Sequence, residues 1–144
     1  MPGNPKGDRR ERELVNRLAD AGFAPMRAPA SGSSTERELP DVICGNGEYG
    51  YAIEAKSSAG DPIYIDSEEV TDLQYFAEML GLSARLAVRF DREPWWFLAP
   101  ADCHRTDSGT YRIKLPAARS KGLRVDDLTG ESKQARLGEL DSID

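Results

Sequence analysis

One histidine and two cysteines are the only soft metal ligands this 144-residue sequence offers. Cys44 and Cys103 stand far apart and form no CxxC pair, and the single histidine, His104, directly follows Cys103. A structural zinc site draws on four ligands, so Cys/His zinc is excluded. Two isolated cysteines fit a reducing compartment, and His104 is expected in a solvated loop rather than in catalysis. The sequence also lacks any apolar run near the roughly 20 residues a membrane span needs. Its opening, "MPGNPKGDRRER", carries charge with no apolar stretch behind it, so it does not read as a secretory signal. Cytoplasm is the expected location, and no membrane partner is expected. There are no internal repeats, and the length suits one compact domain.

What the chain does have is charge. Hydrophobic residues make up 39% and charged residues 31%, enough for a modest core and too much apolar content for wholesale disorder. The net charge is −6, which taken alone argues against a nucleic-acid partner. The distribution softens that objection: residues 61–100 hold three basic and eight acidic residues, while the rest of the chain is nearly balanced. An acid excess of this kind also suits high salt, as a property of the surface that says little about fold.

Residues 1–7, punctuated by Pro2, Gly3, Pro5 and Gly7, are expected to be flexible. A helix fits from about Asp8 to Ala21, with Leu14, Val15 and Leu18 as its apolar stripe and Gly22 as its stop. Glu11 lies on that apolar face, whereas Glu13 and Arg17 are expected in solvent. Pro25 and Pro29 point to an edge strand running into the loop "SGSS". Val42 to Cys44 and "YAIEAK" read as a hairpin around Asn46-Gly47. Ile63 to Ile65 is a further strand, and Asp66 or Ser67 caps a helix to about Leu80 that buries Val70, Leu73, Phe76, Ala77 and Leu80. "ARLAVRF", "WWFLAP" and "TDSGTYRIKL" supply the remaining strands, and the pattern fades beyond Pro116. The order of helix, strands, helix and strands implies an α/β or α+β domain with a mixed sheet.

The hairpin raises the chemical question. Antiparallel pairing would bring Asp41, at its opening, beside Glu54, near its end. Alternation sets Glu54 and Lys56 on one face and Ile53 and Ala55 on the other. Two readings are open. The three charges could be solvated on a half-exposed hairpin. Alternatively, the two acids hold Mg²⁺, whose charge removes their repulsion, and Lys56 positions water or offsets charge developing on a phosphodiester. Glu11 on an apolar helix face, and the small-residue loop "ASGSS" just before Asp41, favour the second.

Three blocks in order, "KGDRRERELVNRLADAGF", "RAPASGS" and "PDVICGNGEYGYAIEAKS", closely resemble the archaeal Holliday junction resolvases, which belong to the PD-(D/E)xK nuclease superfamily. The likeness covers roughly the first 100 residues, and "LAVRFDREPWWFL" resembles the family's later strands. The resemblance implies an α/β restriction-endonuclease-like fold, a central mixed sheet flanked by helices, over residues 1–128, with 129–144 left as a polar tail. It implies an endonuclease that resolves four-way DNA junctions by paired symmetric nicks in recombination and repair, with Mg²⁺ as cofactor, Mn²⁺ able to substitute, and a homodimer as the working unit. By position, Glu11, Asp41 and Glu54 match the metal-binding acids, Lys56 the catalytic lysine and Ser31 a serine of the active-site loop. Lys6, Arg9, Arg10, Arg27 and Ser31 fall where the family meets DNA. The alternatives are a related nuclease acting on another DNA structure, or a non-catalytic junction-binding paralogue. The acidic charge departs from the usual basic character of such enzymes and suggests a salt-loving archaeal host. Trp95 and Trp96, adjacent on one strand, point to opposite faces, so a two-fold interface is expected on the strand from Trp95 to Leu98.

Overall fold

The structure is a computed structural model that describes residues 5–28 and 36–129. Helix α1 (Pro5–Asp20) begins earlier than the sequence suggested, so residues 5–7 are helical rather than loose. Proline is tolerated in a first turn because the N–H it lacks has no helical partner there. Gly22, at φ 97°, ends the helix in the left-handed conformation that glycine adopts without penalty. Strand β1 (Ala24–Arg27) follows, and Pro25 is accommodated because β1 lies at a sheet edge.

Strands β2 (Val42–Gly45) and β3 (Gly50–Ser58) form the expected hairpin. Asn46 makes its turn, with Oδ1 accepting from the backbone N–H groups of Glu48 (2.9 Å) and Tyr49 (2.7 Å). Strand β4 (Ile63–Ile65) leads into helix α2 (Ser67–Leu80), with Asp66 at the N-cap. Then come β5 (Ser83–Phe90), β6 (Trp96–Leu98), the two-residue β7 (His104–Arg105) and β8 (Tyr111–Ile113). Helix α3 (Leu115–Lys121) and a short 3₁₀ turn (Val125–Thr129) complete the described chain. The main sheet has the order β1-β2-β3-β5-β6, with β3 and β5 parallel and the other pairs antiparallel; β4-β8-β7 form a second, smaller sheet. The crossover from β3 to β5 runs through α2, as a parallel pair requires.

Alternation along β3 and β5 divides the core in two. Leu14, Leu18 and Phe23 of the α1 region pack with Val42, Tyr51, Ile53, Ala87, Trp95 and Phe97 on one face. On the other, Val70, Leu73 and Ala77 of α2 pack with Ala52, Leu86, Val88 and Leu98 and with the small sheet. Both faces of the main sheet are therefore covered within one chain.

Three expectations are corrected here. Leu80 is 56% exposed and Phe76 only half-buried, whereas Val70, Leu73 and Ala77 make the buried face of α2. The pattern does not end at Pro116, which starts α3, and Leu128 beyond it is fully buried. The strand from Trp95 to Leu98 is not an open face. Trp95, Phe97 and Leu98 are buried, and Trp96 is closed over by the segment after α3, where Gly122 lies so near that a Cβ would stand 3.2 Å from Trp96 Cβ. Within one chain this strand is thus largely covered, with Trp96 left half-buried. The tail beyond Thr129 lies outside the described residues.

Phe97 belongs to the core under α1, and its backbone is bonded both ways to Leu123. Phe97→Ala should therefore cost about 3–5 kcal/mol, read as a drop in denaturation midpoint. Met26→Ala, on the exposed edge strand, should stay within about 0.5 kcal/mol. Equal effects from the two would refute this picture of the core.

Candidate active site

The register of one hairpin builds the site. Val42 pairs with Ile53, so Asp41, one residue earlier, stands opposite Glu54. Asp41 Oδ2 accepts a hydrogen bond from the backbone N–H of Ala55 at 2.8 Å, which fixes the carboxyl at the end of the β2–β3 pair. Glu54 is the one buried charged residue among the described residues, 8% exposed. Ile53 beside it on the strand is fully buried and the partner of Glu54 across the parallel pair is Leu86, so little water reaches it. Lys56 follows on the same face. Its Nζ lies 4.0 Å from Glu54 Oε2 and 3.1 Å from Glu69 Oε1 on the first turn of α2.

Burial dominates the electrostatics. It pushes Asp41 up to about 6, with the bond from Ala55 opposing and the charge of Glu11 adding. It pushes Glu54 up to about 9, helped by the charges of Asp41 and Glu69. At neutral pH Glu54 keeps its proton and can donate it to Asp41, since two adjacent carboxylates in a dry setting cannot both ionise readily. Burial alone would lower Lys56, but the hydrogen bond to Glu69 and the surrounding carboxylates outweigh it, and the ammonium is held charged.

Glu11 and Arg27 arrive from the other side of the sheet. Arg27, on the edge strand, donates to Asp8 at 2.8 Å and Glu11 at 3.1 Å. Glu11 is thus near enough to raise Asp41 but is turned to a guanidinium. Among the described residues no three His, Cys, Asp or Glu side chains converge on one point; the sequence's three acids are a pair with a neighbour. A pair still fits a hard divalent cation, which takes one or two carboxylates and completes its shell with water and phosphate oxygens. The like-charge crowding of Asp41 and Glu54 is what such a cation would relieve.

Of the residues expected at DNA, Lys6 and Arg10 both reach Asp91 at 3.4 Å, Arg27 is held as above, and Arg9 is exposed. Ser31 lies outside the described residues. His104 is exposed on β7, and burial raises both cysteine thiols to about 11, which leaves them protonated. Two acids were misread or missed. Glu13, expected in solvent, accepts from Arg89 Nε at 2.6 Å and Trp95 Nε1 at 2.8 Å. Glu69 suited a helix first turn on dipole grounds alone, and only the packing of α2 against β3 shows that it meets Lys56. No helix among the described residues is long and apolar enough to cross a membrane.

The arrangement of sheet, helices and acidic hairpin is that of the restriction-endonuclease-like fold. The solved structure of Hjc from Archaeoglobus fulgidus, a Holliday junction resolvase of an archaeal hyperthermophile, matches with a TM-score of 0.77 and 32% identity, covering 84% of this chain and 98% of the other. The family model for archaeal Holliday junction resolvase matches residues 3–137. The crossover junction endodeoxyribonuclease Hjc of A. fulgidus is 35% identical over 134 residues, 93% of this chain and 96% of the relative. Its counterpart in Sulfolobus acidocaldarius is 37% identical over 129 residues, 89% of each. The chain belongs to the archaeal Holliday junction resolvase family, whose members are nucleases.

The carboxyl pair should also shape stability. Folded Glu54 keeps its proton up to about pH 9, whereas unfolded it releases it near 4.5. Within that window the native state binds more protons than the unfolded one, so stability falls as pH rises. In chelator, the melting temperature of the wild type should decline between pH 5 and 9, and Glu54→Gln should remove much of that slope. A wild type and variant with parallel profiles would refute the assignment of the raised group.

Proposed function

We propose that this protein is a Mg²⁺-dependent endonuclease that resolves four-way DNA junctions by paired symmetric nicks, working as a homodimer. The observation that carries the reading is the opposition of Asp41 and Glu54 across one hairpin with Lys56 beside them, in a chain of the resolvase family. Asp41 and Glu54 would hold the cation, with Glu11 joining once released from Arg27, and Mn²⁺ would substitute. When bound, the metal would supply a lowered water pKa and charge stabilisation at the phosphodiester.

The protein's own groups then have separate tasks. The bond from Ala55 holds Asp41 in place, so no reorganisation is needed when substrate arrives. Lys56, kept charged by Glu69, faces the developing negative charge or orients the attacking water. Glu69 keeps the ammonium from collapsing onto Glu54. The ion pairs at Lys6, Arg10 and Arg27 are partly exposed, a class worth only about 0–1 kcal/mol, so a DNA phosphate can take over any of these cations. An acidic surface free of a long-range basic field would suit work at high salt, where such a field is screened.

Paired nicks on a two-fold junction need two copies of one site. With β6 closed, the exposed apolar residues of α2 are the better candidate contact: Met79 is 68% exposed, Leu80 56% and Tyr75 37%. Sedimentation should show a wild-type dimer at micromolar concentration and a monomer for Met79→Glu/Leu80→Glu. A wild-type monomer, or a dimeric double variant, would refute this contact.

Cleavage of a synthetic four-way junction, compared with flap and linear duplex across salt concentrations, tests the activity. Junction cutting should dominate, require Mg²⁺ or Mn²⁺ and vanish in Asp41→Asn and Glu54→Gln while binding persists. Lys56→Ala should lose about 10²–10³ in rate, the scale of one lost transition-state donor. Preferential cutting of flap or linear DNA, or turnover in either acid variant, would sink the reading.

A further inference from the structure

Beyond the acidic hairpin, the most distinctive charge arrangement lies along α1, on the face that carries Glu13. There a cavity of about 320 Å³ is lined by Glu13, Glu93, Arg17, Arg92 and Arg124, with Trp95 at its wall. The charges do not cancel. Glu13 is already taken by Arg89 at 2.6 Å and by the Trp95 indole. Glu93 is taken by Arg119, in a two-pronged contact at 3.1 and 2.7 Å. Among the described residues Arg17, Arg92 and Arg124 make no ion pair within 4.0 Å, and Arg124 stands only near enough to Glu93 to help lower its pKa behind Arg119. All three are exposed, in a chain whose net charge is −6 and which has acids to spare.

Two details show that these guanidiniums are placed rather than scattered. Arg92 sits at φ 67° in the turn between β5 and β6, a backbone region that costs a side-chain-bearing residue about 1–2 kcal/mol. The guanidinium of Arg124 rests over the Trp96 ring at 5.5 Å from its centroid, which orients the group and leaves its in-plane N–H donors unused. Arg17 is six residues from Glu11, about 9 Å along the helix axis. The cavity therefore shares helix α1 with Glu11, so one helix carries both an acid near the hairpin and an arginine of the cavity.

We propose that Arg17, Arg92 and Arg124 form a phosphate-binding subsite that grips the backbone of the junction DNA. This rests on the reading of DNA as the substrate. Arg92 belongs to the acidic stretch 61–100, and its acidic neighbours are paired: Asp91 with Lys6 and Arg10, and Glu93 with Arg119. With no general basic field, a few fixed arginines carry a large share of the affinity.

The salt dependence of junction binding tests this. Arg17→Gln, Arg92→Gln, Arg124→Gln and the triple variant are compared with wild type and with Arg105→Gln, an exposed arginine on the small sheet. Each replaced subsite arginine should reduce the slope of log K against log salt by about 0.9, so by about 2.7 in the triple variant. KM should rise more than kcat falls, the melting temperature should be unchanged, and Arg105→Gln should keep the wild-type slope. A triple variant with the wild-type slope would overturn the subsite while leaving junction cleavage by the wild type intact. A wild type that neither binds nor cuts junctions would overturn subsite and function together.

Discussion

A carboxyl on β2 and a carboxyl on β3 cannot avoid each other once Val42 pairs with Ile53. That register is not free to change. A slip of one residue would send Ile53 out of the core under α1 and bring Glu54 into it. The core that α1 covers therefore dictates where the acids meet, on the opposite face. The site is the remainder of a packing solution: Tyr51 and Ile53 stabilise the sheet from one side, and Glu54 and Lys56 occupy the positions that alternation leaves on the other. A protein selected for stability alone would put a neutral or apolar side chain at position 54. The buried, protonated glutamic acid there is a local cost that the rest of the fold tolerates.

Arginine distribution shows the same economy. In a chain with 25 acidic and 19 basic residues, an arginine without a carboxylate is a choice of position. Arg27 is bound twice, to Asp8 and Glu11, and Arg89 is bound by Glu13 and by two backbone carbonyls, of Phe90 and Glu93. These pairs brace α1 to the sheet and set the height of Glu11 relative to Asp41. The arginines left open lie on the same helix (Arg17), in the turn between β5 and β6 (Arg92) and after α3 (Arg124). Helix α1 thus carries both the acid that approaches the site, Glu11, and one open cation, Arg17, and its position is fixed by Leu14 and Leu18, both fully buried.

The hairpin, the helix boundaries near Gly22 and Gly81 and the face of Glu11 were legible in the sequence because they follow from local chemistry: period, turn residues and glycine at positive φ. What was not legible depended on long-range packing. Leu80 keeps the helical period of a buried residue, yet it is exposed while Ala77, one turn earlier, is buried. Glu13 looks like any solvated acid of an amphipathic helix, and its partners Arg89 and Trp95 are 76 and 82 residues away. The adjacent tryptophans were read correctly as pointing to opposite faces. The second cover, though, comes from residues after α3, where a seven-residue helix started by Pro116 leaves too weak a pattern to detect. Glu69 was visible as a first-turn acid, a role so ordinary that it hid the contact with Lys56.

The position of Lys56 shows how far the apo geometry is prepared for chemistry. Its ammonium has three acids within reach, and in a low-dielectric setting it would be drawn to whichever bears a full charge. Glu54 holds its proton, so Glu69, better exposed to water at the helix N-terminus, presents the stronger attraction, and the observed 3.1 and 4.0 Å distances follow that order. Were Asp41 and Glu54 to hold a divalent cation, both carboxyls would be ionised. Lys56 would then stand between two carboxylates, one tied to the metal and one on α2. The lysine is thus held by an acid outside the pair, and it stays charged and in place whether or not the pair has lost its proton.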